Sequence, residues 1–210
     1  MTEARRTQEE RRAEAEQRLL AAAAELIGEI GPSRVTLANI GERAGYSRGL
    51  ATHHFGSKGA MMRRLLDSVT VDFRREVFAE SASDSALDEA VGLVHAYFHA
   101  LADPKPANRA RLVLWADAVA TGSPDTRSAM VAADHEFRDE LAKRVERGVS
   151  SGEFAGSIDP GGLATVIIGM LRGVALQSML DDGVDLDACR VEVEKVLIGR
   201  LRPRRSPRNP

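Results

Sequence analysis

The residues best placed to do chemistry lie between two glycines: Ser47, Arg48, Gly49, Thr52 and His53, bracketed by Gly45 and Gly56. Arginine carries five N–H donors in a planar fork, which matches the paired acceptors on a guanine edge. Serine and threonine hydroxyls and an imidazole add shorter donors and acceptors. Gly49 has no side chain, so the backbone there can approach a ligand closely. Such a set recognises a partner by hydrogen bonding. Nothing in the chain supplies a bond-breaking counterpart: there is no GxSxG, no phosphate-cradling glycine loop and no paired-cysteine site.

The elements that must hold this set are short helices. Arg11 to Ile30 repeats Leu19, Ala23, Leu26, Ile27 and Ile30 at helical spacing, and Gly31-Pro32 ends that helix. Thr36 stands where an N-cap belongs, because its hydroxyl can accept from an unpaired backbone N–H. A second helix runs from Leu37 to Ala44, with Gly45 supplying the left-handed turn. Ser47 is positioned to cap a third, from Arg48 to about His54. Two short helices joined by a glycine turn and backed by a longer one describe a helix-turn-helix, whose second helix enters the major groove of DNA. Short helical hairpins also occur in plain bundles.

Charge is unevenly distributed. The net charge is −2, yet Ser33 to Arg64 holds six basic residues against one acid, Glu42. Leu65 to Gly199 carries 13 Lys and Arg against 23 Asp and Glu. A polyanion is attracted to the first stretch and repelled by the second.

The segment Val35-Thr36-Leu37, Ile40, Ala44-Gly45-Tyr46-Ser47-Arg48-Gly49 and His53-His54-Phe55-Gly56-Ser57-Lys58 resembles the TetR family of bacterial repressors. The resemblance implies that Thr36 caps the second helix and touches a phosphate. It further implies that Ser47, Arg48 and Gly49 face bases, that His53 and His54 line the backbone or groove wall, and that Lys58 contacts phosphate. Two positions depart from the family pattern. Leu50 replaces the usual Thr, to meet a thymine methyl or to pack inward. Thr52 replaces an aromatic and has less reach. His54 also admits a packing or capping role.

The rest of the chain reads as helices in an all-α fold of about nine: a three-helix DNA-binding head over residues 1–57, a helical-bundle ligand-binding and dimerisation region over 58–202, and a disordered basic tail over 203–210. Met62, Leu65, Leu66, Val69, Phe73 and Val77 mark a long fourth helix linking the parts. The eighth helix is apolar on more than one side. Leu163, Ile167, Met170, Leu171 and Val174, with Val193 on the ninth, form the expected homodimer surface, and Gly169 and Gly173 allow close helix approach. The family pairs these two helices across a two-fold axis, so the expected partners are a second copy of the chain, a palindromic operator in double-stranded DNA and an unidentified, partly apolar small-molecule effector. No cofactor is expected.

The fifth to seventh helices hold a small polar set, His95, Tyr97, His99, Trp115, Asp117 and His135; with apolar neighbours, His95, Phe98, His99, Trp115, Asp117 and Met130 make the candidate effector pocket, although Trp115 serves equally well as core. The competing reading is a metal-dependent helical-bundle enzyme using His95, His99 and Asp117, since histidines four apart share a helix face. Gly161 to Leu180 is long enough to span a bilayer, but Arg172 within it argues for burial in protein instead. The charged N-terminal stretch has no apolar signal-peptide core, and the single cysteine, Cys189, forms no internal disulfide and suits a small buried position. A cytoplasmic protein is expected.

Overall fold

The structure is a computed structural model and describes residues 7–103, 105–120 and 124–203. Nine helices make up the ordered elements among them: α1 (Gln8–Ile30), α2 (Leu37–Arg43), α3 (Leu50–Phe55), α4 (Lys58–Glu80), α5 (Ala86–Ala102), α6 (Pro106–Ala120), α7 (Pro124–Ser150), α8 (Pro160–Leu180) and α9 (Leu186–Leu201). The expected all-α architecture is the observed one. Residues 204–210 of the expected tail lie outside the described residues.

Local signals account for most helix ends. Thr7 opens α1 through a capping box with Glu10, each satisfying the other's backbone N–H. That box starts the helix three residues before the apolar stripe alone indicates. Asp159 caps α8 with Pro160 at its first turn, and Asp185 caps α9. Gly31 ends α1 at φ 76°.

The chain divides into two compact units: residues 1–70 with 104–131, and 71–103 with 132–210. In the first unit α6 packs along α1. Ala22, Ala23, Leu26 and Ile27 on α1 and Ala110, Leu114 and Ala118 on α6 are buried, and the alanines among them suit close helix approach. Arg109 fastens this pair by donating from Nε to the Gly28 carbonyl at 3.1 Å. Such pairing is invisible to periodicity, which reads each helix alone.

In the second unit α5 packs on α9 and α8, and α8 on α9. Phe73 meets Tyr97 edge-on at 5.4 Å between ring centres, and Phe137 lies 4.9 Å from Phe78. Glu89 is buried between two guanidinium groups, with Arg144 at 2.8 Å and Arg147 at 2.7 Å, so its charge is compensated. Gly148 admits the Phe154 ring: a Cβ there would stand 2.3 Å from it.

Candidate nucleic-acid interface

The helix-turn-helix lies entirely within the first unit. Thr36 caps α2: its hydroxyl accepts from the Asn39 N–H at 3.2 Å, and the Asn39 side chain accepts from the Thr36 N–H at 2.8 Å. After Arg43 the chain turns through Gly45 at φ 78°, the left-handed value expected from the sequence. The Tyr46 N–H donates back to the Gly41 carbonyl at 2.9 Å, and Arg18 sits over the Tyr46 ring at 5.0 Å. The turn is therefore stitched to both α2 and α1.

Gly41 decides how closely the turn crosses α2. A Cβ at this position would come within 2.6 Å of the Ser47 carbonyl oxygen. Sequence reasoning passed over Gly41. The signal was a glycine inside a short helix, which costs about 1 kcal/mol relative to alanine and so calls for a packing reason.

α3 begins two residues later than expected. Its N-cap is Gly49, with no side-chain cap bond, so Ser47 does not cap it; the Ser47 carbonyl instead accepts from the Leu50 N–H at 3.1 Å. Ser47, Arg48, Gly49, Thr52 and His53 are all exposed, as expected. Ala51 is wholly buried and Leu50 half-buried. Arg48 is 77% exposed at its side chain and pairs with Glu42.

Of the two roles the sequence leaves open for His54, its placement matches packing. Its side chain is only 9% exposed, and Nε2 lies 3.2 Å from the Glu16 carboxylate on α1. It therefore does not line the open face with His53. The physical reason is helical spacing: three residues after Ala51, position 54 points inward. Lys58 donates from Nζ to the Ser33 carbonyl at 2.9 Å, joining the start of α4 to the loop after α1. Ser57 caps α4 through the Ala60 N–H at 3.1 Å.

The basic character of this region is partly offset by acids from outside it. Arg43 binds Glu29 at 2.8 Å and Glu25 at 3.1 Å, both on α1. Arg64 pairs with Glu16. The local charge is thus lower than a count from Ser33 to Arg64 implies, because α1 folds three carboxylates onto it. The Glu16 carboxyl is held below the usual carboxylate range, chiefly by its hydrogen bond from Arg64, with desolvation opposing and His54 assisting. A depressed carboxyl stabilises the fold above its unfolded value and loses that contribution as pH falls through its folded value. Acidification below about pH 4 should therefore cost wild type more thermal stability than a Glu16→Gln variant. Parallel melts at neutral and acid pH check this, and an equal loss in both would refute it.

The other sequence-predicted residues separate. His95 and His99 are exposed on α5 and turn to different acids, Glu194 at 3.1 Å and Glu80 at 3.4 Å. Arg190 also lies 3.1 Å from the His95 ring nitrogen. Phe98 is buried beside them on α5, while half-buried Trp115 and Asp117 and buried Met130 belong to the first unit. The six do not form a pocket within either unit. Among the described residues no group of three His, Cys, Asp or Glu side chains is arranged to hold a metal. The second unit instead has an apolar cleft between Ala90, Leu93, Leu141, Val145, Phe154 and Leu197, with room for about one water molecule at most.

The residues expected at a dimer surface differ in exposure. Ile167 and Leu171 are 1% and 0% exposed and Val193 is buried, so these three pack within their own chain. Leu163, Met170 and Val174 are half-buried. The open side of α8 carries Val166, 56% exposed, and Gly169, above which nothing stands within 4 Å of a Cβ; Gly173 is likewise unobstructed. On α9 Val196 is 56% exposed. The helix is apolar nearly all round, so periodicity does not separate its two sides. α8 is one helix long and apolar enough to cross a membrane by length and composition. Its Arg172, however, pairs in bidentate fashion with Asp134 at 2.7 and 2.9 Å. Cys189 is half-buried, not buried.

An exposed, hydrogen-bonding short helix docked by a glycine turn onto two others is the architecture of a helix-turn-helix DNA-binding protein. The chain belongs to the TetR family of bacterial regulatory proteins: residues 19–65 match the N-terminal model of that family, and residues 87–197, more than half the chain, match the C-terminal region of BetI-type transcriptional repressors. It is 30% identical over 130 residues to the HTH-type transcriptional regulator BetI of Agrobacterium fabrum (strain C58 / ATCC 33970), a match covering 61% of this chain and 62% of that protein. A TetR transcriptional regulator from Chloroflexus aurantiacus J-10-FL shares the fold with a TM-score of 0.81 at 21% identity, over 92% of this chain and 98% of that one. A transcriptional regulator from Saccharomonospora viridis, solved in complex with choline, aligns with a TM-score of 0.78 at 22% identity, over 91% and 100%.

Proposed function

We propose that this chain is a ligand-responsive transcriptional repressor that binds a palindromic operator as a homodimer and leaves it when a small molecule binds. The observation that carries the reading is the exposed set Ser47, Arg48, Gly49, Thr52 and His53, presented on and before α3 while Ala51 anchors that helix inward. Arg48 reads a base edge, and Thr36 and Lys58 meet phosphates at the margins. Residues 1–57 carry the DNA contacts, and the later helices carry effector binding and pairing. The open side of α8 and α9 around Val166, Gly169, Gly173 and Val196 meets its counterpart in a second copy. A two-fold dimer of this kind places two α3 helices on successive major grooves of a palindrome. The protein acts in the cytoplasm, where its DNA is.

The effector is a small, partly apolar molecule, consistent with the choline bound to one structural neighbour. The apolar cleft beside Glu89 and Arg144 is its candidate site, opened by rearrangement of the second unit. α4 runs unbroken from Lys58 to Glu80 and contributes residues to both units, so it is the covalent path between effector and operator. A ligand shifts such a balance only as far as its affinities for the two states differ, and about 1–3 kcal/mol of coupling changes operator affinity roughly 5–150-fold.

Selection of bound duplexes from a random pool tests the reading: a recovered inverted repeat supports it, and no enrichment refutes it. On the selected site Arg48→Ala should lose about 1–3 kcal/mol at one base pair per half-site and relax discrimination there. Equal loss on every sequence would reduce Arg48 to a phosphate contact.

A further inference from the structure

We propose that His54 is a positioning residue for α3, held by Glu16, and not a DNA contact. This rests on the DNA-binding reading above.

α3 has only six residues, and its N-cap contributes no side-chain bond. Its orientation must therefore come from what grips its inward side. Ala51 supplies packing there, being wholly buried. His54 supplies direction: its ring lies edge-on to Phe55 at 4.7 Å, and its Nε2 reaches the Glu16 carboxylate on α1 at 3.2 Å. The other Glu16 oxygen accepts from Nε of Arg64 on α4. One carboxylate on α1 thus ties the end of α3 to α4, across 38 residues of sequence on one side and 48 on the other. The arrangement has a geometric consequence for Ser47 to His53, because a hydrogen bond prefers a narrow range of distance and angle. Rotating His54 out to a phosphate would break the tie and leave the Glu16 charge near DNA, where it repels.

The test uses the full-length protein on a selected operator and on random duplex, each titrated across a range of salt. A hydrogen bond to a charged group is worth about 1.5–3 kcal/mol, so His54→Ala should weaken operator binding roughly 10-fold or more. Affinity for random duplex and the slope of log affinity against log salt should stay at wild-type values. Glu16→Ala should cost the same, the double variant should be no worse than either, and Glu16→Gln, which keeps an acceptor for the ring, should recover most of the loss. His54→Phe keeps the packing without the nitrogen and guards against a fold defect: it should stay folded and keep wild-type affinity for random duplex, yet discriminate poorly. A phosphate contact would instead lower the salt slope by about 0.9 per contact, and Glu16→Ala would then leave operator affinity intact. Either result overturns the assignment while leaving the DNA-binding reading in place. Wild-type protein that binds no duplex at low salt would overturn that reading itself.

Discussion

Gly41→Ala should abolish sequence discrimination in a protein that still folds. The added Cβ would stand 2.6 Å from the Ser47 carbonyl oxygen, which is backbone and cannot swing aside as a side-chain tip can. The turn must move off α2, and α3 moves with it. The stability cost is limited, because overpacking of about 1–3 kcal/mol is offset by about 1 kcal/mol from replacing glycine with alanine inside a helix. Recognition suffers more. A bidentate base contact is worth about 1–3 kcal/mol, and in the proposed dimer two displaced helices lose it twice. Operator binding should fall by about 2–6 kcal/mol, with random-duplex binding nearly unchanged. Competition titrations with both DNAs, alongside a thermal melt, measure the two effects separately. A lower melting temperature with discrimination intact would make Gly41 a packing residue only.

The second large effect concerns pairing. Val166→Glu places a charge on the open side of α8, where the native side chain is 56% exposed, so the isolated chain should fold normally. In a dimer sealed there, the charge would be buried without a partner. The variant should sediment as a monomer. Its operator affinity should fall by roughly 10²–10⁴-fold, because the second half-site no longer binds at the effective concentration that linkage provides. Val119 on α6 is 59% exposed and serves as the matched control: Val119→Glu should remain dimeric. Ile167→Ala separates the two sides of α8, since Ile167 is 1% exposed. It should destabilise the chain by about 2–5 kcal/mol without dissociating the pair. A dimeric Val166→Glu would place the interface elsewhere.

The two sides of α8 also show how far sequence reasoning reaches. Where apolar residues occupy one stripe, as from Leu19 to Ile27 on α1, periodicity identifies the buried face directly. On α8 Ile167, Ile168 and Leu171 turn inward, and Val166 turns outward with no change in chemistry. Only packing against α5 and α9 tells them apart. The candidate effector set is divided by packing that no local pattern shows: His95, Phe98 and His99 belong to the second unit, and Trp115, Asp117 and Met130 to the first.

What the amino-acid sequence determined alone is most of what is local, though not the start of α1 or of α3. Many helix ends follow from hydroxyl and carboxylate caps and from glycines at positive φ, and the exposed set Ser47, Arg48, Gly49, Thr52 and His53 follows from a turn signal and a short helical period. What only tertiary structure decided is the partnership of residues far apart in the chain. Glu16 meets His54 and Arg64, Glu25 and Glu29 take up Arg43, and α6 lies on α1. The physical reason is range. A cap or a turn is settled by bonds within about four residues. A salt bridge or a helix contact depends on which surfaces the whole fold brings together, and no local pattern encodes that choice.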